Sequence, residues 1–329
     1  MHLFSFELHG ELRLGAELGD GRRIDLQRAC AAWLEARGTQ RAQERAAFEI
    51  PNRLGEFLAC GEAGQKAARH AIAWAAEAPV HGAGGRLAWE LAPAAAGVRL
   101  LAASPQPRAV WVAQGNFHAA EERTAEAGET SLVPKAAVSI AADGDAVRLP
   151  PGAECVDWQG SLCVVIGATL EGAEPGEAHA AIGGYAVGND ITVRDWQLGE
   201  DDARTSRAPG PASVPCASLA KSYAGHGPVG PCLVTPDEVP DAAALRLETR
   251  VNGVVKQSAP LSALRLPIPH LLARLSQRTR LLPGDIVFTG SPPGGGALRE
   301  PVERLAAGDL VEVEIPGVGL LRNPVVAAV

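Results

Sequence analysis

Three groups of residues along this chain carry chemistry that moves protons or holds small anions. His118 and Glu121 stand three apart. On a helix that spacing makes them neighbours, so the carboxylate orients and charges the imidazole. The same pair also fits a plain surface helix with an acidic run, Glu121 and Glu122. Farther on, Arg194 and Lys221 supply a guanidinium and an ammonium. Brought into one cleft, these are what a small dicarboxylate needs. Arg194 fits equally well a structural ion pair with Asp195 or a neighbouring strand. The third group is Thr289-Gly290-Ser291-Pro292-Pro293-Gly294, where glycines let backbone N–H groups approach an anionic ligand. The run Gly294-Gly295-Gly296 lacks the Lys-Ser/Thr and following helix of a phosphate loop and reads as a flexible turn. Tyr223 lines a pocket or packs in the core, and His226, in a Gly-rich stretch, reads as a solvated loop residue.

Composition removes several function classes. The 329 residues carry 30 Lys and Arg against 38 Asp and Glu, a formal net charge of −8, so no basic face is available for nucleic acid. Cys30, Cys60, Cys155, Cys163, Cys216 and Cys232 form no CxxC pair and read as reduced, mostly buried thiols rather than zinc ligands. The opening MHLFSFELHG alternates apolar and polar residues without a basic n-region. No apolar run is long enough to span a bilayer. The expectation is a cytoplasmic protein without nucleic-acid or membrane partners.

The elements that must position these groups divide at the Pro-rich hinge Ser104-Pro105-Gln106-Pro107. Residues 1–104 read as a small α+β unit, with strands at 3–8 and 11–18 and helices at 26–36 and 65–76. Residues 105–329 read as mainly β: short apolar runs at 110–113, 161–166, 184–187, 245–251, 285–289 and 310–315, separated by Gly and Pro. Helices are fewer, at 119–127, 176–180 and 269–276. Asn252-Gly253 predicts a hairpin because both residues tolerate positive φ. Asp285 and Asp309, each after a Gly, read as turn residues. The polar, aperiodic stretch 199–218 predicts a lid or a disordered loop.

Four segments in the second unit carry a family signal. They are Gly115-Asn116-Phe117-His118-Ala119-Ala120-Glu121, Asp157-Trp158-Gln159-Gly160-Ser161-Leu162 running on to Gly167, Gly184-Tyr185-Ala186-Val187-Gly188-Asn189-Asp190 running on to Gln197, and Leu282-Pro283-Gly284-Asp285 running on to Gly294. Lys135 after Pro134, Lys221-Ser222-Tyr223 before Gly230-Pro231, and Val251-Asn252-Gly253 leading to Gln257 agree with them. In this order the segments resemble the fumarylacetoacetate hydrolase superfamily over residues 105–329. The first hundred residues resemble the short N-terminal domain of bacterial two-domain members.

The resemblance implies an α+β, mainly β fold, with a mixed β-sandwich roll for 105–329, and a homodimer. It implies an enzyme acting on a small 2-oxo or 1,3-dicarbonyl acid through an enolate, by C–C hydrolysis, decarboxylation, hydration or tautomerisation. His118 and Glu121 would handle a proton or water, and Lys135 would be catalytic or stabilise an oxyanion. Arg194, Gln197, Lys221, Tyr223, Thr289, Gly290 and Ser291 would contact the substrate. Members bind Mg²⁺ or Mn²⁺ through two Glu, two apart on a strand, and an Asp.

Here the chain departs from that pattern. Gln159 and Ser161 stand at the two Glu positions, leaving Asp190 as the charged ligand of the set. Both replacements should still face the site, because residues two apart on a strand share a face. Losing two carboxylates removes most of the charge that offsets a hard ion's dehydration. The expectation is a weak or absent metal. Asp157 shares that face but reads as a strand-end residue in solvent. Phe117 also runs straight into His118, two residues shorter than usual. Three functions follow: an enzyme working with little metal, a conventional Mg²⁺-dependent hydrolase or hydratase, or a catalytically silent binder of small acids.

Overall fold

The computed structural model describes residues 1–77, 90–91, 97–118, 130–198 and 216–328. The chain opens with β1 (His2–Leu8), β2 (Glu11–Glu17) and β3 (Arg23–Asp25), then α1 (Leu26–Ala36), α2 (Ala42–Glu49), α3 (Leu54–Ala59) and α4 (Gly61–Glu77). Short strands β4 (Glu90–Leu91) and β5 (Val98–Leu100) precede β6 (Val110–Gln114), β7 (Ser131–Lys135), β8 (Ile140–Ala141), β9 (Val147–Arg148) and β10 (Val156–Asp157). Next come β11 (Gly160–Ile166), α5 (Pro175–Ala180), β12 (Ile182–Asn189), β13 (Thr192–Val193), α6 (Arg194–Leu198), α7 (Ala217–Lys221) and β14 (Gly227–Val234). The chain finishes with β15 (Arg246–Val251), β16 (Val254–Pro260), α8 (Ile268–Ser276), β17 (Ile286–Phe288), β18 (Leu310–Ile315) and β19 (Gly319–Val326).

Most strands join one sheet in the order β4-β3-β2-β1-β14-β12-β11-β17-β6-β7, while β16-β15-β18-β19-β9 form a second. The main sheet runs without a break from the first residues into the second unit, through antiparallel pairing of β1 with β14 at His2↔Val234 and Leu3↔Leu233. Its centre is β11 and β12, buried along their whole length. Strand alternation sorts their side chains. Cys163, Val165 and Ala186 face the core shared with α1 to α4. Leu162, Val164, Ile166, Tyr185 and Val187 face the core shared with the second sheet and α8. This is the mixed α and β, strand-rich fold the sequence implied.

The Asn252-Gly253 hairpin forms, with φ of 52° and 76° at its two turn residues. Asp285 and Asp309 accept backbone N–H groups in their turns, and Asp285 also accepts those of Arg108 and Ala109 after the hinge. The helix expected at 65–76 starts at Gly61, and α2 and α3 were not foreseen. In α2 the apolar pattern is weak: only Ala42 and Ala46 are buried in it. The helix expected at 119–127 and most of the loop at 199–218 lie outside the described residues.

Close approach in the middle of the sheet excludes side chains at chosen points. A Cβ on Gly188 would lie 2.3 Å from Cys163 Sγ and 2.8 Å from the Phe288 ring. We therefore expect Gly188→Ala to destabilise the chain by about 1–3 kcal/mol through overpacking, read as a lowered midpoint in urea unfolding.

Candidate active site

The antiparallel register of β11 and β12 creates the site. Ser161 pairs with Gly188 and Gly160 with Asn189. One step farther, the Asp190 N–H donates to the Gln159 carbonyl at 2.9 Å. The Gln159 N–H donates to Asn189 Oδ1 at 2.9 Å. Gln159 and Asp190 thus leave the ends of adjacent strands side by side. Together with Ser161, Lys221, Gly290 and Ser291 they line a small cavity of about 30 Å³. Larger hollows of about 250 and 280 Å³ lie beside Pro283 and Tyr185, and neither contains a lysine.

The Asp190 carboxylate carries two ammoniums, one on each oxygen. Lys135 Nζ donates to Oδ1 at 2.9 Å and Lys221 Nζ donates to Oδ2. All three side chains are almost wholly buried. Lys135 spends its other N–H groups on the carbonyls of Lys221 and His226. Lys221 Nζ donates also to Gln159 Oε1 at 2.8 Å and to Thr192 Oγ1 at 2.9 Å. Burial pushes both lysines below their usual range, with Asp190 opposing it. Burial alone would raise Asp190, but the combined pull of Lys135 and Lys221 outweighs it and holds the carboxyl below its ordinary value. With both lysines charged, the cluster keeps one net positive charge beside the cavity.

Asp157 is not in solvent, as its place at a strand end suggested. It is completely buried. Its Oδ2 accepts from Arg194 Nε at 2.9 Å and Nη2 at 2.8 Å, and its Oδ1 accepts the Gly296 N–H at 2.7 Å. Arg194 therefore pairs with Asp157 rather than Asp195, which caps the backbone N–H groups of Glu154 and Cys155. Arg194 Nη1 donates to Gln197 Oε1 at 2.7 Å. The run Gly294-Gly295-Gly296 is accordingly pinned. A Cβ on Gly295 would sit 2.9 Å from Asp157 Oδ2, and one on Gly296 would sit 2.4 Å from the Glu303 carbonyl.

The other candidates fall as follows. Ser161 Oγ donates to the Leu162 carbonyl at 2.9 Å while lining the cavity. Thr289 is turned away, its hydroxyl donating to that same carbonyl at 3.0 Å. Gly290, at φ 114°, admits no side chain because a Cβ would lie 2.9 Å from Asn116 Cβ. Ser291 Oγ accepts from Gln257 Nε2 at 2.9 Å. Tyr223 is half-buried and packs edge-on against Trp196 and His226. His118 is exposed and does not line the cavity; its backbone N–H donates to the Ala263 carbonyl at 3.0 Å. Glu121 lies outside the described residues, so the spacing of the pair is not defined here.

Three residues at the site carried no assigned role in the sequence. Thr192, two residues after Asp190, donates to Gln159 Oε1 at 2.7 Å. Asn116 bonds the carbonyls of Thr289 and Leu266 and the Leu266 N–H, tying β6 to the glycine turn. Gln257 Oε1 accepts the Gly160 N–H at 3.0 Å. A same-face argument from Asp190 reaches Thr192; the other two depend on chain segments far apart.

His226 is buried, not solvated. Its Nε2 lies 2.8 Å from the Arg148 carbonyl, its Nδ1 has no partner, and its own carbonyl holds Lys135. Burial lowers its pKa to about 4, against a smaller rise from the Arg148 carbonyl. The unfolded ring protonates near 6.5, so the folded chain binds fewer protons between those values. The stability due to the neutral ring is complete above pH 6.5 and is lost as pH falls towards 4. That loss should approach about 3 kcal/mol. Denaturant midpoints measured across this window should slope in the native chain and flatten in His226→Gln; an unchanged slope refutes the assignment.

Among the described residues no helix is long and apolar enough to cross a membrane. Comparison with known proteins agrees with the architecture. The family model for the fumarylacetoacetate (FAA) hydrolase C-terminal domain matches residues 109–326. The bovine (Bos taurus) mitochondrial oxaloacetate tautomerase FAHD2A is 34% identical over 284 residues, 85% of this chain and 82% of that protein. The solved structure of fumarylacetoacetate hydrolase from psychrophilic Exiguobacterium antarcticum matches over the whole of both chains with a TM-score of 0.75 at 28% identity. The 2-hydroxyhepta-2,4-diene-1,7-dioate isomerase of Mycobacterium marinum covers 70% of this chain and 79% of its own, with a TM-score of 0.58 at 31% identity. A model match to about two thirds of the chain and a relative of this identity over most of its length place the chain in the fumarylacetoacetate hydrolase superfamily of enzymes.

Proposed function

We propose that this chain interconverts the keto and enol forms of a small 2-oxo or 1,3-dicarbonyl acid, using the Lys221 ammonium where relatives use a divalent ion. The observation that carries this reading is the shell around Lys221 Nζ. Gln159 Oε1, Asp190 Oδ2 and Thr192 Oγ1 converge on it, and two of those residues stand at positions the family resemblance gives to metal ligands.

These donors do not fit a divalent ion. Both Asp190 oxygens already accept from ammoniums, and Gln159 Oε1 accepts from Lys221 and Thr192. Among the described residues no group of three or more His, Cys, Asp or Glu is arranged to hold a metal. A divalent cation would meet two positive charges and one carboxylate, with no compensation for its lost water.

Enolisation needs little more than this cluster offers. A proton leaves the carbon beside the oxo group, its electron pair forms the C=C bond, and the oxygen takes the negative charge. Lys221 lines the cavity and stabilises that oxygen by its charge, its N–H groups being held by Gln159, Asp190 and Thr192 until one turns to the substrate. Its lowered proton affinity makes it the better donor to the enolate. Lys135, which does not line the cavity, acts by holding Asp190 and adding positive charge. The surplus charge attracts the substrate carboxylate. The family resemblance assigns the proton from carbon to His118 with Glu121, although His118 is exposed and not part of the cavity wall. Support from kinship comes from the oxaloacetate tautomerase and the Mycobacterium marinum isomerase, both named for shifts of this kind. The homodimer remains part of the proposal, and a monomer mass by light scattering at micromolar concentration would refute it.

The native chain should show no Mg²⁺ or Mn²⁺ binding by calorimetry and no loss of oxaloacetate tautomerisation in EDTA. The double variant Gln159→Glu with Ser161→Glu should gain metal binding. Purified native protein holding a divalent ion that Asp190→Asn removes, with activity lost in EDTA, would refute the metal-poor reading. Lys221→Met should lower kcat by about 10²–10³-fold, the usual cost of one preorganised donor at a developing oxyanion.

A further inference from the structure

We propose that Asp157 is a positioning residue that sets the substrate contacts of the cavity without touching substrate itself; this rests on the enolising reading above. Its carboxylate gathers two separate pieces of chain. Arg194 donates to it twice from α6, and the Gly296 and Ala297 N–H groups donate from the loop after Ser291, at 2.7 and 3.3 Å. Asp157 itself is fixed by β10, which pairs with β13 through Asp157↔Thr192. Thr192 in turn holds Gln159 and Lys221. Asp157 therefore registers, through its carboxylate, the wall carrying Ser291 and the helix carrying Gln197, and, through its strand, β13 beside the Lys221 shell.

The consequence for recognition is directional. Arg194 Nη1 occupies Gln197 Oε1 at 2.7 Å. The remaining hydrogen-bonding end of that amide is then its NH₂, a donor. Gln197, a substrate contact by the family resemblance and not a wall of the described cavity, is thereby set to meet an acceptor such as a carboxylate or oxo oxygen and to reject a donor. Arg194 holds this orientation only while its other edge is fixed by Asp157. The glycines complete the device, because a Cβ at Gly295 would lie 2.9 Å from Asp157 Oδ2 and 3.3 Å from Arg194 Nη2. Only a bare backbone brings the loop N–H groups onto this carboxylate.

The test uses the full chain with Asp157→Asn, Arg194→Lys and the double variant. The lysine variant keeps the charge opposite Asp157, so it stays informative if Asp157→Asn folds poorly. Steady-state rates with oxaloacetate should show KM raised about tenfold in each single variant with kcat within about threefold, the signature of lost binding rather than lost chemistry. The double variant should be no worse than Asp157→Asn, because both changes break one chain of contacts. Oxalate affinity by calorimetry should fall by a similar factor, and Gly296 and Ala297 amides should exchange faster. An unchanged KM and oxalate affinity, or a lower kcat at constant KM, would leave Asp157 a merely structural residue and overturn the proposal. Multiplied effects in the double variant would overturn it too. A native chain that does not convert oxaloacetate would overturn only the enolising reading, since oxalate affinity and amide exchange still decide the role of Asp157.

Discussion

The Asp190 carboxylate held between two buried ammoniums is the constraint on which the rest of this structure depends. Charges removed from water cost several kcal/mol each unless nearly every lone pair and proton finds a partner. Here the accounting closes. Lys135 donates to Asp190 and two backbone carbonyls, and Lys221 donates to Asp190, Gln159 and Thr192. Those partners come from β7, α7, the turn before β14 and the ends of β11 and β12. The cluster therefore fixes how these segments meet, and leaving any one of its charges unpaired would cost more than the pair contributes.

The sheet gives this cluster its precision. Central strands β11 and β12 are buried on both faces, so neither has a solvent side onto which it can slip. Their register delivers Gln159 and Asp190 side by side, and the close approach at Gly188 brings Cys163 and Phe288 beneath them. Cys163 is inert in this setting, because burial pushes its thiol well above the usual range. The electrostatics gain from the same burial. Away from water an ammonium interacts more strongly with a developing oxyanion, and its own hold on the proton weakens.

On the proposed reading the site keeps the framework of its family while changing its charge. At the two positions the family resemblance gives to Glu ligands stand an amide and a hydroxyl, Gln159 and Ser161, and the oxygen of that amide accepts from Lys221. A neutral oxygen suits an ammonium, which needs acceptors at hydrogen-bond distance. A divalent ion needs anionic ligands to offset its dehydration. On the proposed reading the two residues that disfavour a divalent ion suit an ammonium, and the reaction class is preserved if an enolate is what has to be stabilised.

Much of this was written locally. The alternation in β11 and β12, the Asn252-Gly253 turn and the acidic turns at Asp285 and Asp309 follow from neighbouring residues alone, because strand faces and turn dihedrals are short-range properties. Motif order identified the family, and residue types at 159, 161 and 190 raised the proposal of an altered metal site. Other features were not legible. Asp157 and Arg194 are 37 residues apart, and Gln159 and Lys221 are 62 apart. Periodicity says which face a side chain occupies and nothing about which distant segment is packed against that face. Hence Asp157 read as solvated, His226 as a loop residue and the glycine run as flexible. Each is buried or pinned because tertiary packing removed water and obliged every polar atom within reach to find its partner inside the protein.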